Sequence, residues 1–91
     1  MTSKMIVYQL VDNNVDYINI SQRIKKFPMW TKVMDRCWII KSKRTTGEIR
    51  DILSRSLTKG GTVFVIDLNN NSWGTFNVGI DITSWLKENL K

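Results

Sequence analysis

The sequence predicts a two-layer α+β fold in which two helices cover one face of a four-stranded antiparallel sheet. Three observations indicate it. Short runs rich in β-branched and aromatic residues alternate with segments whose apolar residues recur at helical spacing. The 91 residues are enough for one domain, and no proline- or serine-rich linker divides them. Hydrophobic residues at 42% and charged residues at 24% are typical of a globular chain rather than a disordered one.

The first strand and the first helix are predicted within residues 4–28. The run 4–11 is nearly continuous in apolar residues, as in a central strand covered on both faces, and Gln9 is the polar residue inside it. Asp16 is placed to cap a helix that Pro28 ends. The apolar stripe of that helix consists of Tyr17, Ile20, Ile24 and Phe27.

Two short strands and a second helix follow. The β-rich runs 30–34 and 37–41 flank the polar pair Asp35-Arg36 and therefore predict a hairpin or a bulged strand pair. Residues 45–48 fit the capping-box pattern, with Thr45 as the N-cap and Glu48 as the third helical residue. The helix has an apolar stripe and then a pair of glycines that is placed to end it: Ile49, Ile52, Leu53, Leu57 and Gly60-Gly61.

The last part of the chain predicts a fourth strand at 62–68, a short extra strand at 72–76 and a final helix capped by Asp81. The order β-α-β-β-α-β, followed by a short strand and a helix, is that of a ferredoxin-like sandwich with a C-terminal extension. We expect one such domain over residues 1–91, with its core at about 4–68 and the extension at about 72–90. The open sheet face is expected to be buried by a second copy of the chain or by the C-terminal segment.

Composition excludes several classes of site. Cys37 is the single cysteine and the chain has no histidine, which excludes an internal disulfide, a Cys/His zinc site and Ser-His-Asp or Cys-His catalysis. No apolar run approaches the ~20 residues that span a bilayer, and the N-terminus lacks a signal-peptide core. A cytoplasmic protein with no membrane partner is therefore expected, and any chemistry has to come from carboxylates with a divalent metal, from lysine or from tyrosine.

The net charge of +6 is concentrated in the middle of the chain. Eleven basic and three acidic residues lie between Arg23 and Lys59, whereas the rest of the chain is net negative. Such a surface favours a polyanion, because lysine and arginine neutralise phosphates and release counterions; a solvated basic face without a partner is the alternative. The segment 41–44 leads into the N-terminus of the second helix, whose dipole and N–H groups also favour a phosphate. The candidate nucleic-acid-binding residues are Lys25, Lys26, Lys32, Lys41, Lys43 and Arg44.

Three carboxylates are candidates for a metal site, because Mg²⁺ and Mn²⁺ prefer oxygen ligands. Asp12 and Asp16 follow the first strand, and Asp67 comes near the end of the fourth. The first and fourth strands are antiparallel neighbours in the predicted sheet, so Asp12 and Asp67 should lie at opposite ends. Asp12 and Asp16 fit a turn residue and a helix cap better than a metal pair. Trp30 is either a base-stacking residue or a core or interface tryptophan.

Three short segments carry a family resemblance. Residues 6–12, IVYQLVD, are similar to a first strand that typically reads apolar-Val-Tyr-Asp-Ile-x-Asp. Residues 36–40 are similar to a segment in which the same family has a small residue, then Val or Trp, then Phe or Val, and residues 62–66 are similar to its fourth strand. On these segments the chain resembles the superfamily of the CRISPR-associated ferredoxin-fold protein of the spacer-acquisition complex and the virulence-associated protein D ribonucleases. The segment around Trp73 and the terminal helix resemble those of a small branch of it.

The resemblance implies a homodimer that binds RNA or DNA, in defence or counter-defence. In that family two aspartates face each other across the dimer two-fold and hold one metal ion; Gln9 occupies this position here, and a neutral amide is a poor ligand. Asp12 matches the second acidic position. The expected protein is therefore a structural or regulatory one, with no assigned catalytic or metal-binding residue and no cofactor.

Two alternatives stay open. The first is a Mg²⁺- or Mn²⁺-dependent endoribonuclease of the same family that uses Asp12. The second is a protein-interaction module, such as an antitoxin or a host-factor inhibitor, that binds its target through the open sheet face or a tryptophan patch.

Overall fold

The computed structural model describes residues 1–11, 15–69 and 72–90. These residues contain four strands and three helices. In chain order they are β1 (Thr2–Gln9), α1 (Val15–Ile24), β2 (Met29–Met34), β3 (Cys37–Ser42), α2 (Thr46–Ser54), β4 (Thr62–Asp67) and α3 (Ile80–Asn89). The sheet order is β2-β3-β1-β4, and every neighbouring pair is antiparallel. The predicted ferredoxin-like α+β fold is therefore confirmed. Within these ranges no helix has the length and apolar character needed to cross a membrane.

The main core lies between the two helices α1 and α2 and one face of the sheet. Side chains alternate along β1, so Ile6 and Tyr8 are buried toward the helices while Val7 points to the other face. Trp38 of β3 is buried beside them, and its indole N–H donates to the Tyr8 hydroxyl at 3.1 Å, which satisfies the polar edge of the ring. The helices contribute Ile20, Ile24, Ile49 and Leu53 to this core.

The helix α3 covers part of the second face of the sheet. It contacts β2, and its Leu86 is buried. Ile39 and Thr31, which pair in register on that second face, are also buried. The Ser3 hydroxyl of β1 donates to the Asn89 carbonyl at 3.1 Å and so joins the end of α3 to the sheet. The C-terminal segment thus covers part of the face that the sequence leaves open.

The hairpin between β2 and β3 combines the two features predicted for it. Asp35 and Arg36 form the turn, and Arg36 has a φ of 62°, in the left-handed region. The pairing register shifts between Lys32 and Met34, which places a bulge in β2 just before the turn.

The end of α2 differs from the prediction. The helix ends at Ser54, and Leu57 lies in the following turn, where its N–H donates to the Ser54 carbonyl. Gly60 has a φ of +88°, and a Cβ at Gly61 would come within 2.5 Å of the Gln9 carbonyl oxygen. The two glycines therefore allow the turn and the close approach of β4 to the end of β1 instead of capping the helix.

The C-terminal extension also differs in detail. The sheet has four strands, and residues 72–79, which include the predicted strand at 72–76, follow an irregular path to α3. Gly74 and Gly79 in this segment have low β propensity. Gly79 rather than Asp81 is the N-cap of α3; Asp81 lies in the first helical turn, where its charge suits the helix dipole.

Candidate nucleic-acid interface

A cleft of about 570 Å³ opens at the end of the sandwich where α1 ends and α2 begins. The N-terminus of β1 and the connection from β3 to α2 reach the same end. The lining residues are Met1, Arg23, Lys26, Phe27, Pro28, Ser42, Lys43, Arg44 and Ile52. Four of these described residues are cations and none is acidic, so the cleft is electrostatically suited to an anion.

The end of α1 supplies the first pair of cations. Arg23 lies in the last helical turn and Lys26 follows three residues later, a spacing that places both on one side of the chain. The turn continues as the Lys26 N–H donates to the Arg23 carbonyl and the Phe27 N–H to the Ile24 carbonyl. Phe27 is thereby buried in the core below the exposed Lys26.

The connection from β3 to α2 supplies the second pair, Lys43 and Arg44. Its backbone is held at Ser42, whose hydroxyl accepts from the Arg44 N–H at 3.0 Å and whose carbonyl accepts from the Lys4 ammonium at 2.7 Å. Lys43 and Arg44 are both exposed. Arg44 lies 4.0 Å from the Glu48 carboxylate, but both side chains are more than half exposed, and such a surface ion pair binds weakly.

Two hydrogen bonds between Thr45 and Glu48 cap the N-terminus of α2. The Glu48 N–H donates to the Thr45 hydroxyl at 3.1 Å and the Thr45 N–H donates to the Glu48 carboxylate at 2.9 Å, so the predicted capping box is confirmed. Two N–H groups of the expected phosphate site are therefore already bonded, and a carboxylate stands beside them. The lining cations, rather than these two groups, are the donors that the cleft leaves available to an anion.

The capping box makes a prediction for stability. We expect Thr45→Ala to lower the free energy of unfolding by about 1 kcal/mol at pH 7, because the Glu48 N–H in the first turn of α2 loses the Thr45 hydroxyl that accepts its hydrogen bond. Hydrogen bonds from Thr45, above all from its backbone N–H, lower the pKa of the Glu48 carboxyl below its ordinary value of 4.5. The stability that the ionised Glu48 carboxylate contributes is complete above pH 4.5 and is lost as the pH falls through the lowered pKa. Urea unfolding at pH 7 and pH 3 measures both effects.

The control for this prediction is Thr46→Ala, one residue further along the chain. It should leave the unfolding free energy within about 0.5 kcal/mol of wild type. Because the backbone N–H of residue 45 remains in Thr45→Ala and still donates to Glu48, most of the pH 7 to pH 3 difference should persist in this variant; its complete loss would contradict the assignment of the pKa shift.

The structure brings together three of the six predicted phosphate contacts and separates the others. Lys26, Lys43 and Arg44 line the cleft. Lys41 instead lines a pocket of about 150 Å³ shared with Glu88 of α3. The Lys25 ammonium lies 5.7 Å from the centroid of the Trp30 ring, outside the cleft lining.

Lys32 is engaged toward the hairpin end of β2. Its ammonium donates to the Tyr17 hydroxyl at 2.8 Å and lies 3.8 Å from the Asp35 carboxylate. The hydrogen bond to Tyr17 raises the pKa of the Lys32 ammonium. Lys32 does not line the cleft, and its charge is partly compensated by Asp35.

Sequence reasoning missed Arg23 as a member of the site. The available signal was its spacing of three from Lys26, which places both on one helical side. The apolar part of the cleft, Phe27, Pro28 and Ile52, could not be found this way, because it forms only when α1 and α2 pack side by side.

The predicted acidic positions do not gather in the described structure. Asp16 is buried inside the first turn of α1 rather than capping it, and its carboxylate accepts from the Thr58 hydroxyl at 2.6 Å and the Lys59 N–H at 3.2 Å. Asp67 pairs in register with Lys4, at the opposite end of β1 from Gln9. Asp12 lies outside the described residues. Within 1–11, 15–69 and 72–90, no group of three or more His, Cys, Asp or Glu side chains could hold a metal ion.

Part of the second sheet face stays exposed beyond α3. Val7 and Phe64 pair in register there, Phe64 is 56% exposed, and Ile66 and Gln9 are exposed on the same face. We call these four residues the β1–β4 patch. β4 is an edge strand, and its outer side pairs with no described strand. Cys37, the register neighbour of Val7, is partly buried, which raises the pKa of its thiol.

No protein family, curated protein or solved structure matches this chain.

Proposed function

We propose that the protein binds RNA or DNA through the cleft at the end of the sandwich, as a dimeric structural or regulatory protein. The convergence of Arg23, Lys26, Lys43 and Arg44 on one cavity carries this proposal. They come from two separate segments and meet only in the folded chain, unlike basic side chains that merely keep a surface soluble. Phosphates are the natural partners of such a cluster, and arginine adds a fork of donors that can bind two phosphate oxygens at once.

The proposal is tested by salt-dependent binding. A fluorescent 20-nucleotide strand, single or duplexed, is titrated with the protein at several salt concentrations and followed by anisotropy. Four phosphate contacts predict that the logarithm of the affinity falls with the logarithm of the salt concentration with a slope of about −3 to −4. Polyglutamate of the same length is the control for a general polyanion surface. Undetectable binding at low salt, or a slope near zero, would contradict the proposal.

A second copy of the chain is the partner that we propose for the β1–β4 patch. Phe64 and Val7 present apolar surface beside an unpaired strand edge, and strand edges of this kind commonly pair with another chain. Gln9 lies in the same patch, at the position that the family resemblance places next to the two-fold. The resemblance itself stays a hypothesis, as does the absence of hydrolytic activity that the neutral Gln9 amide supports.

The dimer makes its own prediction. Light scattering at micromolar concentration should give twice the chain mass of 10.6 kDa, and Phe64→Lys should return the particle to the monomer mass, because a charge would be buried in the seam. Ile18→Lys on the exposed side of α1 is the matched control and should remain dimeric. A wild-type monomer would remove the dimer from the proposal.

Different residues distinguish the two alternatives, the protein-interaction module and the endoribonuclease, from the proposed function. A monomer with an intact β1–β4 patch favours the protein-interaction module, because the patch is then free for a different protein. The endoribonuclease depends on Asp12, since the carboxylate of Asp16 is already bonded to Thr58 and Lys59. Among the described contacts, none favours it over the binding protein.

A further inference from the structure

The cleft has an apolar floor as well as cations. Phe27 is 9% exposed and belongs to the core, and Ile52 is partly buried against the same core. Lys26, Lys43 and Arg44 are exposed, so Phe27 and Ile52 lie deeper than these three charges. A surface that only follows the phosphates of a duplex makes polar contacts with the backbone and has no need of an apolar recess behind them.

We propose that this cleft takes one unpaired nucleotide of a single strand, with the base on the apolar floor and the flanking phosphates on the cations. The inference rests on the proposed function and narrows its ligand. Arg23 and Lys26 come from the end of α1, and Lys43 and Arg44 from the β3–α2 connection, so each segment supplies cations for a phosphate. Phe27, which follows Lys26, and Ile52 of α2 supply the floor, and the exposed Pro28 adds apolar surface at the rim.

Size and chemistry agree with this ligand. The cavity of about 570 Å³ lies within the ~300–1,000 Å³ of sites that enclose small organic groups. Apolar walls with a few converging charges suit a flat base joined to a phosphate. A base in a duplex is stacked and paired and cannot enter such a recess, whereas bases of single strands splay out readily.

The experiment compares two single strands of ten nucleotides, one normal and one in which every base is replaced by an abasic residue. Both carry the same phosphates. We expect the normal strand to bind about tenfold more tightly in anisotropy measurements at fixed salt. Equal affinities would overturn this inference but leave the phosphate interface intact, whereas no binding of either strand would overturn both proposals.

A variant tests the floor directly. Ile52→Gln keeps a side chain of comparable size without lowering helix propensity but makes the floor polar, so the preference for the normal strand should fall severalfold while abasic binding is unchanged. Leu57→Gln, at another partly buried position beside the same core but outside the cleft lining, is the matched control and should keep the preference. An unchanged preference in Ile52→Gln would overturn the assignment of the floor.

A competition experiment identifies the source of the nucleotide. Free nucleoside monophosphate should displace the labelled strand only at concentrations far above the dissociation constant of the strand, because it engages fewer of the four cations. Displacement at equal concentration would overturn the assignment to a strand and point to the free nucleotide.

Discussion

Replacing Lys26, Lys43 and Arg44 with alanine is expected to lower the affinity for nucleic acid about a hundredfold at low salt. Each of these exposed side chains supplies one cation of the cleft, and their loss should flatten the log–log salt dependence by about 2 to 3 units. Arg23 is kept, because it is partly buried at the end of α1 and its removal would also change packing. The measurement is anisotropy with the labelled strand over a series of salt concentrations.

The matched control removes the same charge elsewhere. Arg55, Lys59 and Lys87 are exposed and do not line the cleft, so their triple replacement by alanine should reduce affinity only a few times. Since all six side chains are on the surface, each change should leave the unfolding free energy within about 0.5 kcal/mol. Equal losses in the two triple variants would show that binding follows net charge and not the cleft.

Trp38→Ala is expected to lower the free energy of unfolding by about 3–5 kcal/mol, which would be the largest effect on stability among these variants. The Trp38 ring is 1% exposed in the core, and its removal also leaves the Tyr8 hydroxyl without that donor. Domains of this size have only about 5–15 kcal/mol of stability, so this loss should remove a large fraction of the total. Urea unfolding followed by far-ultraviolet circular dichroism measures the loss.

Trp30 is the matched control for Trp38. The two rings pack with centroids 5.5 Å apart, but Trp30 is 37% exposed on the edge strand β2. Trp30→Ala should therefore cost only about 1 kcal/mol. A loss as large as that of Trp38→Ala would show that Trp30 is buried in solution, for example by a second copy. The structure supports the packing interpretation of Trp30, which lies outside the cleft lining.

The parts of the fold that depend on local patterns could be predicted from the sequence. The Thr45–Glu48 spacing is a consequence of neighbouring residues, and its capping box appears in the structure with the expected partners. The role of Asp16 could not be predicted this way, because its bonds come from Thr58 and Lys59, about forty positions along the chain. A buried carboxylate accepts hydrogen bonds from donors that lie close to it in the folded chain, and these donors can be distant in sequence.

Local sequence patterns also predicted only part of the candidate site. Lys43 and Arg44 are adjacent in sequence and enter the cleft together. Lys41 belongs to β3 and faces the pocket beside α3, a separation that requires knowing where the strand ends and where the last helix packs. The apolar floor depends on long-range packing of α1 against α2, which no local pattern reports.

The position of Met1 and Gln9 at opposite ends of β1 has a consequence for assembly. Met1 lines the cleft, whereas Gln9 belongs to the β1–β4 patch about 25 Å further along the strand. Joining two chains at the patch would leave both cavities unobstructed and make the particle bivalent. A long polyanion that reaches both would then be held by avidity, since the second attachment is intramolecular, while a short oligonucleotide would occupy each cavity independently.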